Sequence, residues 1–208
     1  MSFFIVDGPN GAGKTSLIKS LKSDGYSTIS SPNETPLSKI LRPACRGTEP
    51  WTDIDPRVQF LLFSASRYDE YVRIAHQKDH PVIADRWWTS TFVYQCVFQG
   101  FSVDFLEHTV HPEEKVDAAI LLDADNNVLI ERVNAERESN PLHGKCRWTQ
   151  DDESIIRLAD IYRIELNDYL LSKGIKVITI DATKKSLSEV KEEVTKIIGD
   201  YDDRHTIN

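Results

Sequence analysis

The segment Phe3-Phe4-Ile5-Val6-Asp7-Gly8-Pro9-Asn10-Gly11-Ala12-Gly13-Lys14-Thr15 joins an apolar run to a helical pattern through three glycines. Phe3 to Val6 is uninterrupted and ends in Asp7-Gly8-Pro9, which reads as a buried strand stopped by a turn. Lys14 to Lys22 carries apolar residues at 17, 18 and 21, a helical spacing. The link from Gly8 to Thr15 satisfies G-x-x-x-x-G-K-[ST], a phosphate-binding loop in its required strand–turn–helix context. Each residue type has a physical reason. Gly11 and Gly13 let backbone N–H groups turn inward where a Cβ would crowd them. The helix N-terminus adds unpaired donors and a partial positive charge. Lys14 reaches β- and γ-phosphates, and the Thr15 hydroxyl ligates Mg²⁺. Gly8, Asn10, Gly11, Ala12, Gly13, Lys14, Thr15 and Ser16 are therefore the expected ATP-binding residues.

Outward from this segment the chain alternates. Strands are expected at 26–29, 81–84, 118–122 and 176–180, and helices at 36–42, 56–77, 88–98, 151–171 and 186–198. A further helix follows 118–122, with Asn126 or Asn127 as its cap. Five prolines between residues 30 and 56 mark mostly loop. Residues 136–150 read as an exposed loop and 200–208 as a frayed tail. The pattern predicts one α/β domain over 1–208: a P-loop NTPase three-layer sandwich, with a five-stranded parallel sheet flanked by helices.

The 208 residues carry 25 Lys+Arg against 33 Asp+Glu, a formal charge of −8. That balance argues against a partner such as polymeric nucleic acid, which needs a surplus of cations along one face. Cys45, Cys96 and Cys146 fit neither a disulfide framework nor a zinc site. No stretch approaches the roughly 20 apolar residues of a membrane span, so a cytoplasmic protein without a membrane partner is expected.

A GTP-driven switch would carry N-K-x-D and D-x-x-G strings, and neither occurs. The chain offers a second anion site instead. Phe63 and Arg67 lie four apart, on one helix face, where an aromatic plane beside a guanidinium suits a nucleotide. The run 82–84 delivers Asp85-Arg86 to a strand C-terminus, where open α/β sheets place ligands.

In this order the segments FIVDGPNGAGKT, TPLSKILR, LLFSASR, VIADRWWTSTFVYQ, AAILLDADNNVLIERV and VITIDAT resemble the thymidylate kinase family of nucleoside monophosphate kinases, over nearly the whole chain. The resemblance implies ATP-dependent phosphorylation of dTMP, with ATP and a pyrimidine deoxynucleoside monophosphate as substrates, Mg²⁺ as cofactor and a homodimer as the assembly. It implies that Phe63 stacks on the pyrimidine, Arg67 bonds its edge and Arg86 holds the monophosphate. Asp85 then lies near the Mg²⁺, Ser90 and Thr91 near base and phosphate, Tyr94 under the sugar and Tyr162 over the base. Thr15 and Asp85 are the implied metal ligands. Residues 136–149 match the family's lid. Gly11 stands where one branch of the family has an arginine, so the lid is expected to supply the catalytic cation, from Arg137, Lys145 or Arg147, beside Lys14 and Arg86.

Three departures from the family stand out. Ser30-Ser31-Pro32 lacks an arginine that grips the acceptor phosphate, and Arg42 or Arg46 is the expected substitute. Asn10 replaces the usual loop aspartate. Trp87-Trp88 is bulkier than the residues that usually follow Asp-Arg, which reads either as core packing or as a pocket for another or 5-modified deoxyuridylate such as 5-hydroxymethyl-dUMP.

Overall fold

The computed structural model describes residues 2–32, 34–46, 53–74, 81–110, 115–139 and 149–206. Strand β1 (Phe3–Asp7) leads through the glycine turn into α1 (Lys14–Ser23), followed by β2 (Ser27–Ser30), α2 (Pro36–Arg46) and α3 (Pro56–Ile74). Next come β3 (Val82–Asp85), α4 (Trp88–Thr91) running on into a π-helical stretch Phe92–Phe98, α5 (Val103–Thr109), β4 (Ala118–Asp123) and α6 (Asn126–Ser139). The chain ends with α7 (Asp152–Asp160), a second π-helical stretch Ile161–Leu166, α8 (Asn167–Ser172), β5 (Lys176–Asp181) and α9 (Leu187–Thr206).

The five strands form one parallel sheet in the order β2-β3-β1-β4-β5. The two-residue period of a strand explains the three layers. Phe3, Ile5, Val82, Ala84, Ala119 and Leu121 enter one core, packed with residues of α3, α4, α5, α7 and α8. Their neighbours Phe4, Val6, Ile83, Ala118, Ile120 and Leu122 enter the other, with residues of α1, α6 and α9. β1, β3 and β4, buried on both faces, read as continuous apolar runs, which is why they are visible in the sequence, whereas the edge strands β2 and β5 are more exposed. β1 lies between β3 and β4; α1, after β1, and α4, after β3, pack on opposite faces of the sheet, so β1 and β3 flank the switch point at whose strand C-termini open α/β sheets have their ligand crevice.

Several boundaries differ from the sequence reading. α2 runs on through Pro43 to Arg46; packing along α3 and burial of Ala44 hold it past the proline. α6 begins at Asn126 itself, and the Asp125 carbonyl accepts from Leu129 N–H, so the cap position falls one residue before the asparagines. α6 also continues to Ser139, which places Glu136 and Arg137 on a helix rather than in a loop. α9 extends to Thr206 instead of fraying at 200, because Tyr201 packs edge-on against Phe4 at 5.3 Å. α5 had no separate expectation; its seven residues are too few for periodicity to show.

Candidate active site

The cradle is built where β1 meets α1. Gly8 has φ +147°, and a Cβ there would stand 2.1 Å from the Leu122 carbonyl oxygen, so β4 passes too close for any side chain. Gly13, at φ +94°, caps α1 without a side chain, and no acidic residue occupies the first turn to compete with an anion. Thr15 and Ser16 are exposed on that turn. The Lys14 side chain is buried and donates from Nζ to the Gly8 and Pro9 carbonyls, at 2.7 Å each. Burial, reinforced by Arg86, lowers its pKa to about 7 against the opposing pull of Asp7, Asp85 and Glu136. A lysine in this state is short of counter-charge, and a phosphate supplies it.

Across the crevice, Arg86 follows β3 with φ +63°, a strained conformation for a residue with a Cβ. Its backbone N–H is tied to the Val6 carbonyl at 2.9 Å. The guanidinium donates from Nη2 to Asn10 Oδ1 at 3.0 Å. From Nη1 it donates to the hydroxyls of Ser90 and Tyr94, both at 3.3 Å, and Tyr162 at 3.4 Å. Burial opposes its charge, but Tyr94, Tyr162, Asp7 and Asp85 together hold its pKa well above the ordinary value. The side chain keeps 29% of its surface exposed, so an anion can reach it.

Behind both cations sits Asp7, fully buried, whose carboxylate accepts from Gly8 N–H, Tyr162 Oη, Thr89 Oγ1 and Ser90 Oγ at 2.7–2.9 Å. Asp85 pairs in register with Ser30 and accepts from its hydroxyl at 3.3 Å. Burial raises the Asp85 pKa, against the pull of Arg86 and Lys14, so the carboxylate favours a nearby cation.

Lys14, Asn10, Asp85, Arg86, Ser90, Tyr94 and Tyr162 thus converge. The two π-helical stretches contribute Tyr94 and Tyr162, one each, and π-helical turns recur at functional sites. Tyr162 is 2% exposed, with its hydroxyl donating to Asp7 Oδ1 and accepting from Arg86 Nη1. Phe63 is half-buried on α3, and Arg67, 2% exposed, donates to the Thr109 carbonyl at 2.9 Å. Thr91 is buried. Arg137 donates to Asn134 Oδ1 at 2.7 Å within α6. Lys145 and Arg147 lie outside the described residues, as does the Arg46 side chain. Arg42 donates to the Pro32 carbonyl at 3.0 Å, beside the segment that lacks the family's arginine.

Trp87 and Trp88 are 3% and 5% exposed. They pack against Phe3 at 5.3 Å and Tyr169 at 6.0 Å, as core residues. Sequence reasoning missed Thr89 and Arg132. Arg132 donates to the carbonyls of Gly11 and Ala182, both at 3.2 Å, and so ties the cradle to the loop after β5. No motif marks either residue; only the fold brings them in.

The sheet order, the cradle and the facing cation define a P-loop phosphotransferase. A sequence profile of the thymidylate kinase family matches residues 6–194, and the chain belongs to that family. It is 30% identical to a probable thymidylate kinase of Methanocaldococcus jannaschii, over 92% of this chain and 93% of that one. A probable thymidylate kinase of Sulfurisphaera tokodaii is also 30% identical, over 94% and 95%. The crystal structure of thymidylate kinase from Ehrlichia chaffeensis shares the fold with a TM-score of 0.65, at 18% identity over 94% of this chain and 97% of that one.

Proposed function

We propose that the chain transfers the γ-phosphoryl group of ATP to the 5′-phosphate of dTMP, giving dTDP and ADP. The observation that carries this reading is the opposition of Lys14, in the cradle, to Arg86, at the end of β3, across one buried carboxylate. Two phosphate-seeking cations flank a single crevice, as a phosphate-to-phosphate transfer needs. The attacking oxygen of dTMP is already anionic, so the site needs no strong general base. Positioning and charge neutralisation supply the catalysis. Lys14 holds the β- and γ-phosphates and Arg86 the acceptor phosphate. Arg137, at the end of α6, or Arg147, in the lid segment, adds the third cation, and Arg42 covers for the arginine missing at Ser30-Ser31.

Thr15 and Asp85 are the residues that would hold Mg²⁺. Among the described residues no group of three metal-binding side chains forms a cage, which suits a cation carried mainly by ATP phosphates and water. The exposed Thr15 hydroxyl and the cation-seeking Asp85 fit it. When bound, the ion neutralises charge on the transferring oxygens.

Phe63 and Arg67 are assigned to the pyrimidine, and Tyr94 to the sugar. Among the described residues no helix is long and apolar enough to cross a membrane. We assign the reaction to the cytoplasm, a reading supported by a substrate drawn from the free ATP pool. Exposed Val58, Leu61, Ala65, Tyr68 and Val72 on α3 recur at alternating steps of three and four, a seam suited to a second copy of the chain. We assign it to a homodimer.

The test is ADP release with ATP, Mg²⁺ and a panel of dTMP, dUMP, 5-hydroxymethyl-dUMP, dCMP, dGMP and UMP. Preference for dTMP is the expected result. A flat or absent response overturns the reading.

A further inference from the structure

We propose that Asp7 is a positioning residue for the acceptor arginine: it turns the hydroxyls of Ser90 and Tyr162 so that their lone pairs hold the Arg86 guanidinium. The inference rests on the reading of Arg86 as the grip on the acceptor phosphate.

An ionised carboxylate only accepts hydrogen bonds, with about four lone-pair sites. All four have donors here. Gly8 N–H and Tyr162 Oη supply Oδ1, at 2.8 and 2.9 Å; Thr89 Oγ1 and Ser90 Oγ supply Oδ2, at 2.7 and 2.8 Å. Arg86 Nη1 stands 3.7 Å from Oδ1, inside Coulomb range but beyond hydrogen-bond length. The arginine therefore feels the Asp7 charge without being clamped by it. A direct two-pronged Asp–Arg pair would occupy the guanidinium edges that a phosphate needs.

The charge instead acts through two hydroxyls. Ser90 and Tyr162 each spend their single proton on Asp7, so what they offer Nη1, at 3.3 and 3.4 Å, is a lone pair. The same Asp7 oxygen takes the N–H of Gly8, whose carbonyl receives Lys14 Nζ. One carboxylate thereby sets the donor loop and the acceptor arginine in a common frame, and its burial keeps water from rearranging either.

Asp7→Asn isolates this role. The amide keeps the size of the side chain but brings one NH₂. Gly8 N–H cannot reverse, so the NH₂ faces Thr89 and Ser90, and the Ser90 proton must then turn away from Asp7 and towards Arg86. We expect the KM for dTMP to rise about tenfold, the loss of one charge-assisted contact, while the KM for ATP stays within about twofold. Ser90→Ala added to Asp7→Asn should give little further change, because both substitutions break the same relay.

Parental KM for dTMP in a folded Asp7→Asn protein, whatever its melting temperature, would overturn the role; so would independent multiplication of the two effects. If Asp7→Asn does not fold, Ser90→Ala and Tyr162→Phe each remove one arm of the relay. A raised KM for dTMP in either supports it, and parental values in both overturn it. Failure of the unmutated chain to phosphorylate dTMP is a different result, which removes the functional reading and this role together.

Discussion

Lys14 folds its ammonium back onto the Gly8 carbonyl at 2.7 Å, so the cation that should meet ATP rests against the loop that will hold it. With its pKa lowered to about 7 by burial, the folded protein resists the protonated form, whereas the unfolded chain binds that proton up to about 10.5. Lys14→Met should therefore melt at a higher temperature than the parent below pH 7. The gap should close as pH rises from 7 towards 10.5, where both states hold the neutral amine. The same variant should lose at least ~100-fold in turnover, the scale of one transition-state donor. Thermal scans across pH, paired with ADP-release rates, check both halves.

Gly8 and Gly13 should respond very differently to alanine. At Gly8 the new Cβ would lie 2.1 Å from the backbone of β4, whereas at Gly13 nothing lies within 4 Å and only the positive φ is violated. We expect Gly13→Ala to cost about 1–2 kcal/mol of stability, the price of a left-handed alanine, and Gly8→Ala to give no soluble folded protein. Urea unfolding and soluble yield separate the two.

Arg67→Ala should weaken dTMP binding by at least about tenfold, the loss of a hydrogen bond from a charged group, with ATP affinity unchanged. Isothermal titration with each nucleotide reads this directly. A fall in ATP affinity with dTMP affinity intact would mean that the two sites are assigned the wrong way round.

Leu61→Asp with Tyr68→Glu places two charges in the exposed seam of α3. Sedimentation should show the parent chain as a dimer and the double variant as a monomer with the parental circular dichroism spectrum. A parent that sediments as a monomer would remove the dimer assignment.

Much of the architecture was legible because parallel strands buried on both faces leave unbroken apolar runs such as Ala118 to Leu122, and because Gly8 to Thr15 carries its chemistry at fixed spacing. Helix ends were less legible. Arg46 and Thr206 terminate helices that tertiary packing carries beyond their local signals, through Ala44 and Tyr201. In the site, Lys14 and Arg86 announce themselves by motif and strand end. The central place of Asp7 does not, since its partners Thr89, Ser90 and Tyr162 lie 82 to 155 residues away along the chain.

Each wide-turn helical stretch, Phe92–Phe98 and Ile161–Leu166, holds one residue more than an ordinary helix of the same length would need. Successive side chains in a wide turn are set at less than the roughly 100° step of an ordinary helix, so residues inside the stretch point where an ordinary helix of the same sequence would not send them. Tyr94 lies inside the first stretch and Tyr162 inside the second, so an ordinary helical course would turn both phenols away from Arg86. These two helices are therefore intolerant of insertions and deletions in a way that surface connections are not. A chain of this kind can change the lengths of its loops, but the interval from Asp85 to Tyr94 is a fixed ruler, and the arginine is set against its marks.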